Sequence, residues 1–290
     1  HEIGHGVYSL LDPVPTVGLG GETLPWQLNH TAWTTQSYLD PGSGVVTDQF
    51  VQNQSPQILD ILVAQHLYGA NPNTNVGDTV YEVNQDTARA YWDAGGNDTF
   101  DASSTDGAVR IDLRDGHLSS LGTSGFVGIA FNAVIENAIG TEFDDRFFLN
   151  SSANVIDAGL GDDLIQAVSD GDEVDGGAGF DQVEILGNMS DYDITDLGDG
   201  SLLLTGAGGD ITLHNVELIT FFDARVNLSV FGEDFEAPNV EATIYLSLNT
   251  EGFDTELWGY DATEALAYIP IVPTEAGQTA VPPGIDPASG

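Results

Sequence analysis

Between residues 140 and 184, glycine and aspartate return every nine positions, in the blocks GTEFDDRFF, LNSSANVID, AGLGDDLIQ, AVSDGDEVD and GGAGFDQVE. Position six is Asp145, Asn154, Asp163, Asp172 and Asp181, and position eight is Phe147, Ile156, Ile165, Val174 and Val183. The register matches the nonapeptide G-G-x-G-x-D-x-U-x of calcium-binding parallel coils. Glycine lets the backbone turn through positive φ. The turn aims its carbonyls inward, and the aspartate adds a carboxylate. Calcium takes about six to eight oxygens, so one turn supplies half and the stacked turn the rest. Position eight points into a narrow core between short strands. Two nonapeptides make one coil, so alternate blocks share an edge. One edge holds Gly140, Asp145, Gly159, Gly161, Asp163, Gly176, Gly177, Gly179 and Asp181. The other holds Asn154 and Asp172, in turns poor in glycine. Calcium is expected mainly on the first edge, between Asp145 and Asp163 and between Asp163 and Asp181.

A second pattern opens the chain, HEIGH at residues 1–5. On a helix, H-E-x-x-H sets two imidazoles on one face, able to share a zinc ion. His1 and His5 would be the ligands, and Glu2 would take a proton from the zinc-bound water.

Both patterns need a scaffold. The chain has 290 residues, 41% of them hydrophobic, enough for a real core. Lys+Arg is 5 against Asp+Glu 46, a formal charge of −41. The five are Arg89, Arg110, Arg114, Arg146 and Arg225. That balance excludes a nucleic-acid-binding surface and argues against docking on anionic lipid. So many carboxylates repel one another in a compact state unless salt screens them or cations neutralise them. Cysteine is absent, so no disulfide framework exists. No apolar run is long enough to span a membrane. The chain starts without Met or a signal-peptide pattern and reads as a fragment.

Residues 56–68, PQILDILVAQHLY, carry a helical period with Leu59, Leu62, Val63 and Leu67 on one face and His66 packed. Pro56 suits the first turn and Gly69 the stop. Short strands follow, as in TVYEV, DTFDA and VRIDL, and again in SLLLTGAGGDITL after the repeats. Residues 229–270 are acidic and aromatic, and the last stretch, PTEAGQTAVPPGIDPASG, reads as a linker.

Taken with AQHLYGANPNT (64–74), GDTVY (77–81), YWDAGGNDTFD (91–101) and VIENAIG (134–140), the chain resembles a serralysin-type metalloprotease. This is a metzincin joined to an RTX calcium-binding β-roll. The resemblance covers residues 1–228. It implies a mainly β chain: the C-terminal half of a metzincin α/β protease domain over 1–75, then a parallel β-roll and capping β-sandwich over 76–230. Residues 231–290 are an acidic extension. It implies a further calcium site from Gly77, Thr79, Asp93, Gly95 and Asp98, consistent with the turn-forming, oxygen-rich DAGGND stretch.

The metzincin pattern H-E-x-x-H-x-x-G-x-x-H is broken here, with Tyr8 at the glycine and Leu11 at the third histidine. Asp12 could stand in as the third zinc ligand, and His30 and Tyr38 are the other candidates. Thr34-Thr35-Gln36-Ser37-Tyr38 resembles the Met-turn with Gln36 in place of Met, and Tyr38 would stabilise the oxyanion. The implied protein is a secreted, extracellular, monomeric zinc endopeptidase with one zinc and several calcium ions. It would act on peptides and leave through a bacterial type I exporter. The alternative is a non-catalytic calcium-binding secretion or interaction module.

Overall fold

A computed structural model of the chain describes residues 31–35 and 53–228. Its helix α1 (Ile58–Tyr68) precedes a run of short strands. These are β1 (Val80–Glu82), β2 (Ala88–Tyr91), β3 (Thr99–Asp101), β4 (Val109–Asp112), β5 (Leu118–Leu121) and β6 (Gly125–Ile129). Next come β7 (Asn137–Thr141), β8 (Arg146–Phe148), β9 (Val155–Gly159), β10 (Leu164–Val168), β11 (Glu173–Asp175) and β12 (Gln182–Ile185). The last are β13 (Tyr192–Asp196), β14 (Ser201–Gly206), β15 (Asp210–His214), β16 (Leu218–Thr220) and β17 (Arg225–Asn227). The protein is mainly β, as expected.

Two sheets face each other. The first runs β1-β3-β7-β9-β11-β15-β14-β13, and the second β17-β16-β12-β10-β8-β4-β5-β6-β2. Their centres are parallel: β7, β9, β11 and β15 in one, and β4, β8, β10, β12 and β16 in the other. Antiparallel strands flank them, β13–β15 on one sheet and β16–β17 and β4–β6 on the other. This is a parallel roll with antiparallel caps.

The register bears out the coil length. Phe147 pairs with Ile165 and Ile165 with Val183, while Ile156 pairs with Val174, so each step is two nonapeptides. Position eight does point inward. Ile111, Phe147, Ile165, Val183 and Ile219 form one buried row, all 0% exposed. Phe100, Ala138, Ile156, Val174 and Leu213 form the facing row. Each large side chain so buried contributes roughly 1.5–3 kcal/mol. The stacking therefore runs well upstream of the visible repeat, as far as Phe100 and Ile111.

Among the described residues the non-glycines at positive φ are Asn75, Asn132, Asn215 and, alone in not being asparagine, Ala167. Ala167 holds φ at 66°, where the register between β10 and β12 slips. Its Cβ is strained there, so Ala167→Gly should gain roughly 0.5–1 kcal/mol, read as a higher denaturant midpoint.

The helix begins later than expected, with Gln57 as its N-cap and Asp60 accepting the Gln57 N–H at 2.9 Å. Pro56 lies outside it, and Gly69 ends it at φ 82°. The expected buried face is not the buried one. Leu62 and Leu67 are 39% and 51% exposed, His66 is exposed, and Ile58 and Asp60 are buried. ILDILVAQHLY is apolar nearly all round, so its period could not choose a side. Ile58 lies over Gly128, where an added methyl would sit 2.7 Å from its Cδ1. Asp60 accepts from Thr34 Oγ1 and the Thr35 N–H, both at 2.7 Å, and so ties α1 to residues 34–35.

Candidate metal-binding edges

Position six forms a ladder along each edge of the roll. On the second sheet, the Val109 N–H donates to Asp145 Oδ1 at 2.7 Å and the Asp145 N–H to Asp163 Oδ1 at 2.7 Å. The Asp163 N–H then donates to Asp181 Oδ1 at 2.9 Å and the Asp181 N–H to Glu217 Oε2 at 2.7 Å. On the first sheet, the Thr79 N–H donates to Asp98 Oδ1, the Asp98 N–H to Glu136 Oε2 and the Asn154 N–H to Asp172 Oδ1, each at 2.8 Å. Each carboxylate thus caps the backbone of the preceding coil.

These side chains are buried at 3% exposure or less for Asp98, Asp145, Asn154, Asp163, Asp172 and Asp181. One oxygen of each cap is spoken for, and the other decides the site. Asp145 Oδ2 accepts from the Thr141 N–H at 2.6 Å and from Thr141 Oγ1 at 2.9 Å. Asp172 Oδ2 accepts from the Ser169 N–H at 2.7 Å. Asp98 Oδ2, Asp163 Oδ2, Asp181 Oδ2 and Asn154 Oδ1 are buried with no hydrogen-bond partner. A buried acceptor without a donor is costly, and a cation removes the cost.

The electrostatics agree. Burial, with the carboxylates of Asp145, Asp181 and Asp144 beside it, pushes Asp163 up to about 8. Burial likewise pushes Asp181 and Asp172 up to about 6, helped by Glu217 and Asp170 respectively. Asp98 rises to about 6 through burial and the nearby Asp93 and Glu136. Asp145 is also raised, again by burial.

The glycines make the close stacking possible. A Cβ on Gly177 would overlap the Gly159 carbonyl oxygen, one on Gly179 that of Gly161, and one on Gly159 that of Thr141. Gly140 and Gly176 stack in the same way, since a Cβ would overlap the Ala158 and Asn215 carbonyl oxygens, and they do a second job as well. A Cβ there would sit 2.8 Å from Asp145 Oδ2 and 2.8 Å from Asp181 Oδ2, so they leave room for the carboxylates. The turn carbonyls are not all free, contrary to the simplest expectation. Thr141 O accepts the Leu160 N–H, Gly159 O the Ala178 N–H and Ala178 O the Gly161 N–H, at 2.9 to 3.0 Å. Each carbonyl keeps a second lone pair for a cation.

Around Asp98 the structure brings together the other expected residues. The Gly95 N–H donates to Asp93 Oδ1 at 2.9 Å, and Thr79 Oγ1 donates to Gly77 O at 2.9 Å. Gly96, not Gly95, is the crowded position there: its Cβ would lie 2.8 Å from Gly77 O and 2.9 Å from Asp98 Oδ1, while Gly95 meets nothing within 4 Å. Among the described residues no three His, Asp, Glu or Cys side chains converge on one point. Any ion here therefore needs backbone oxygens beside its carboxylates, as a calcium turn does.

Sequence reasoning missed Glu136, Glu217, Thr141 and Gly96. Glu136 was within reach: one more block upstream, FNAVIENAI (131–139), puts Glu136 at position six and Ala138 at position eight. His214 Nδ1 lies 2.6 Å from Ser201 Oγ, with Glu173 at 3.8 Å from its other ring nitrogen. Ser201 is 4% exposed, so this trio holds the β14–β15 hairpin and offers no accessible nucleophile. His1, Glu2, His5, Asp12, His30 and Tyr38 lie outside the described residues.

Residues 64–217 match the family described as peptidase M10 serralysin C terminal. The chain belongs to that family. Serralysin C of Dickeya chrysanthemi is 45% identical over 105 residues, 31% of this chain and 22% of the relative. Serralysin G of the same organism is 36% identical over 175 residues, 54% of this chain and 36% of the relative. Metallopeptidase AprA of Pseudomonas marginalis is 34% identical over 181 residues, 54% of this chain and 37% of the relative. The matched serralysin C-terminal region contains both ladders, and the matches cover between 22% and 37% of these relatives' length. Among the described residues no helix is long and apolar enough to cross a membrane.

Proposed function

We propose that the chain is the C-terminal portion of a secreted zinc metalloendopeptidase whose roll folds on calcium. The observation that carries the calcium reading is the set of buried, donorless oxygens on Asp98, Asn154, Asp163 and Asp181. In this reading Asp163 and Asp181, with the Gly159, Gly161, Gly177 and Gly179 backbone, hold calcium on one edge. Asp98, with Asp93, Gly77, Thr79 and Gly95, holds it on the other. Asp145, beside Gly140, completes the first edge next to Asp163, and Gly176 keeps the space that the Asp181 carboxylate occupies.

For the protease, His1 and His5 with Asp12 would hold the zinc, which would polarise the peptide carbonyl and acidify water when bound. Glu2 takes and returns the proton, and Tyr38 donates a hydrogen bond to the carbonyl oxygen as charge develops there. Residues 1–75 belong to the protease domain, 76–230 to the roll and its caps, and 231–290 to an acidic extension. Peptides are the substrates, and a type I exporter carries the acidic, cysteine-free chain out before calcium folds it.

The test is zinc stoichiometry and casein hydrolysis by the complete protein, with Glu2→Ala as control. One zinc per chain and hydrolysis lost at least a hundredfold in Glu2→Ala support the protease. A second reading is a non-catalytic calcium-binding module. The family match starting at residue 64, with Tyr8, Leu11 and Gln36 departing from the metzincin pattern, favours it. Absent zinc and absent hydrolysis would establish it.

A further inference from the structure

The outer face of the second sheet carries nearly all of the chain's positive charge. Arg110 and Arg146 are paired across β4 and β8, in a row continued by Leu164, Gln182 and Leu218. Arg114 stands beside them, and Arg225 on β17 donates from Nε to Thr220 Oγ1 at 3.3 Å. Only Arg89 lies elsewhere, over the Tyr91 ring. Asp112 answers two of these charges: Arg114 Nη2 lies 2.7 Å and Arg110 Nη2 3.2 Å from its Oδ2. Both guanidiniums also lie over Phe148, at 4.6 and 5.2 Å from its centroid. Arg146 is exposed, with no ion pair among the described residues. Glu184 also lies on this face, accepting from Gln166 Nε2 at 2.6 Å, so with Asp112 two carboxylates stand against four guanidiniums. The patch is net positive on a chain of charge −41.

The opposite sheet presents the reverse. Asp101, Asp157 and Asp175 share one outward row with His214, and Asp157 is raised by burial and by Asp175 and Asp101. An acidic segment is repelled there and attracted to the arginine face.

The chain supplies such a segment at the right place. Residues 229–290 contain no arginine or lysine, and their first stretch, SVFGEDFEAPNVEA, carries Glu233, Asp234, Glu236 and Glu241 beside Phe231 and Phe235. They leave from β17, itself an edge of the arginine-bearing sheet. From β17 to β8 is four strand spacings, about 19 Å. An extended chain covers that in roughly six residues. Helix α1 already covers the same outer face farther along, where Ile58 meets Gly128 and Leu118.

We infer that residues 231–241 dock across the outer face of the second sheet, setting the carboxylates of Glu233, Asp234, Glu236 and Glu241 on Arg110, Arg114 and Arg146. Leu164, Leu218 and the Phe148 ring receive the Phe235 side. The contact sets the acidic segment against the net positive face, and it rests on the charge layout rather than on protease activity.

The natural absence of cysteine makes the test clean. Spin labels on Gln166→Cys and Ala237→Cys in the full chain, in millimolar calcium, give the intramolecular distance by pulsed electron resonance. A narrow peak under about 25 Å is expected, given the strand spacing. Adding Arg110→Gln and Arg146→Gln should cut the short-distance fraction roughly fivefold, as should molar salt. Circular dichroism of each variant confirms that the roll itself is folded. A broad, long distribution in the parent chain overturns the proposal. So does a short peak that survives the arginine changes. Short distances between singly labelled chains would mean that a second copy covers the face, and would overturn it too.

Discussion

In EGTA the full chain should lack the β-sheet circular dichroism that appears when calcium is raised to millimolar levels. Without the ion, buried carboxylates at Asp98, Asp163 and Asp181 each leave an oxygen unpaired, and the roll must hold them against a charge of −41. With it, each site filled at a hundred times its dissociation constant adds about 2.7 kcal/mol. Three such sites together add about 8 kcal/mol, comparable to the whole stability of an ordinary domain. Gly177→Ala sharpens the result. The residue sits at φ 87°, and its new Cβ would overlap the Gly159 carbonyl. Turn spacing must open, so the calcium midpoint should rise at least about tenfold, which is 1.4 kcal/mol. Gly198→Ala, also at positive φ but with nothing within 4 Å, should raise it much less. Equal β content with and without chelator would defeat the calcium reading.

The second large effect is an inverted pH response. Asp163 is raised from 3.8 to about 8, and Asp98, Asp172 and Asp181 to about 6. Between pH 4 and 8, the calcium-free folded chain therefore keeps protons that the unfolded chain has released. Stability must fall as pH rises through that window and be greatest below it. Asp112 runs the other way, since Arg114 overrides the effect of its burial, but its contribution changes only below the ordinary carboxylate range. One retained proton over two pH units is about 2.7 kcal/mol, so part of the β-sheet signal that is missing in EGTA at pH 7 should return at pH 5. Calcium competes with those protons, so in millimolar calcium the slope should reverse, with protons released on binding. Circular dichroism in EGTA at both pH values, and melting curves at both in millimolar calcium, check the sign. A calcium-free chain more stable at pH 7 than at pH 5 would contradict it.

How much of this was legible in the residues depended on local spacing. Phe147, Ile165 and Val183 could be placed inside from the nine-residue register alone, because position eight has one environment in every coil. The carboxylates of Asp145, Asp163 and Asp181 followed from the same rule. Glu136 stood in a block without glycine, so the register was not extended to it, and Glu217 lay beyond the β13–β14 hairpin that interrupts the stack. Gly96 gains its role only when coils are laid over one another, against Gly77, while Thr141 acts within its own turn, four residues before Asp145, at a position the nonapeptide rule leaves open. Helix α1 shows the opposite limit: with apolar residues on every side, its buried face was set by Gly128 and Thr34, far away in sequence.

The ladders also have a direction. Every capped N–H, from Val109 to Asp181, waits for a carboxylate that comes later in the chain. Removing coils from the amino-terminal side leaves each survivor its cap, while trimming from the carboxyl-terminal side uncaps the next coil in turn. The downstream end is thus the template on which the rest is laid, and the molecule should tolerate erosion from one end far better than from the other.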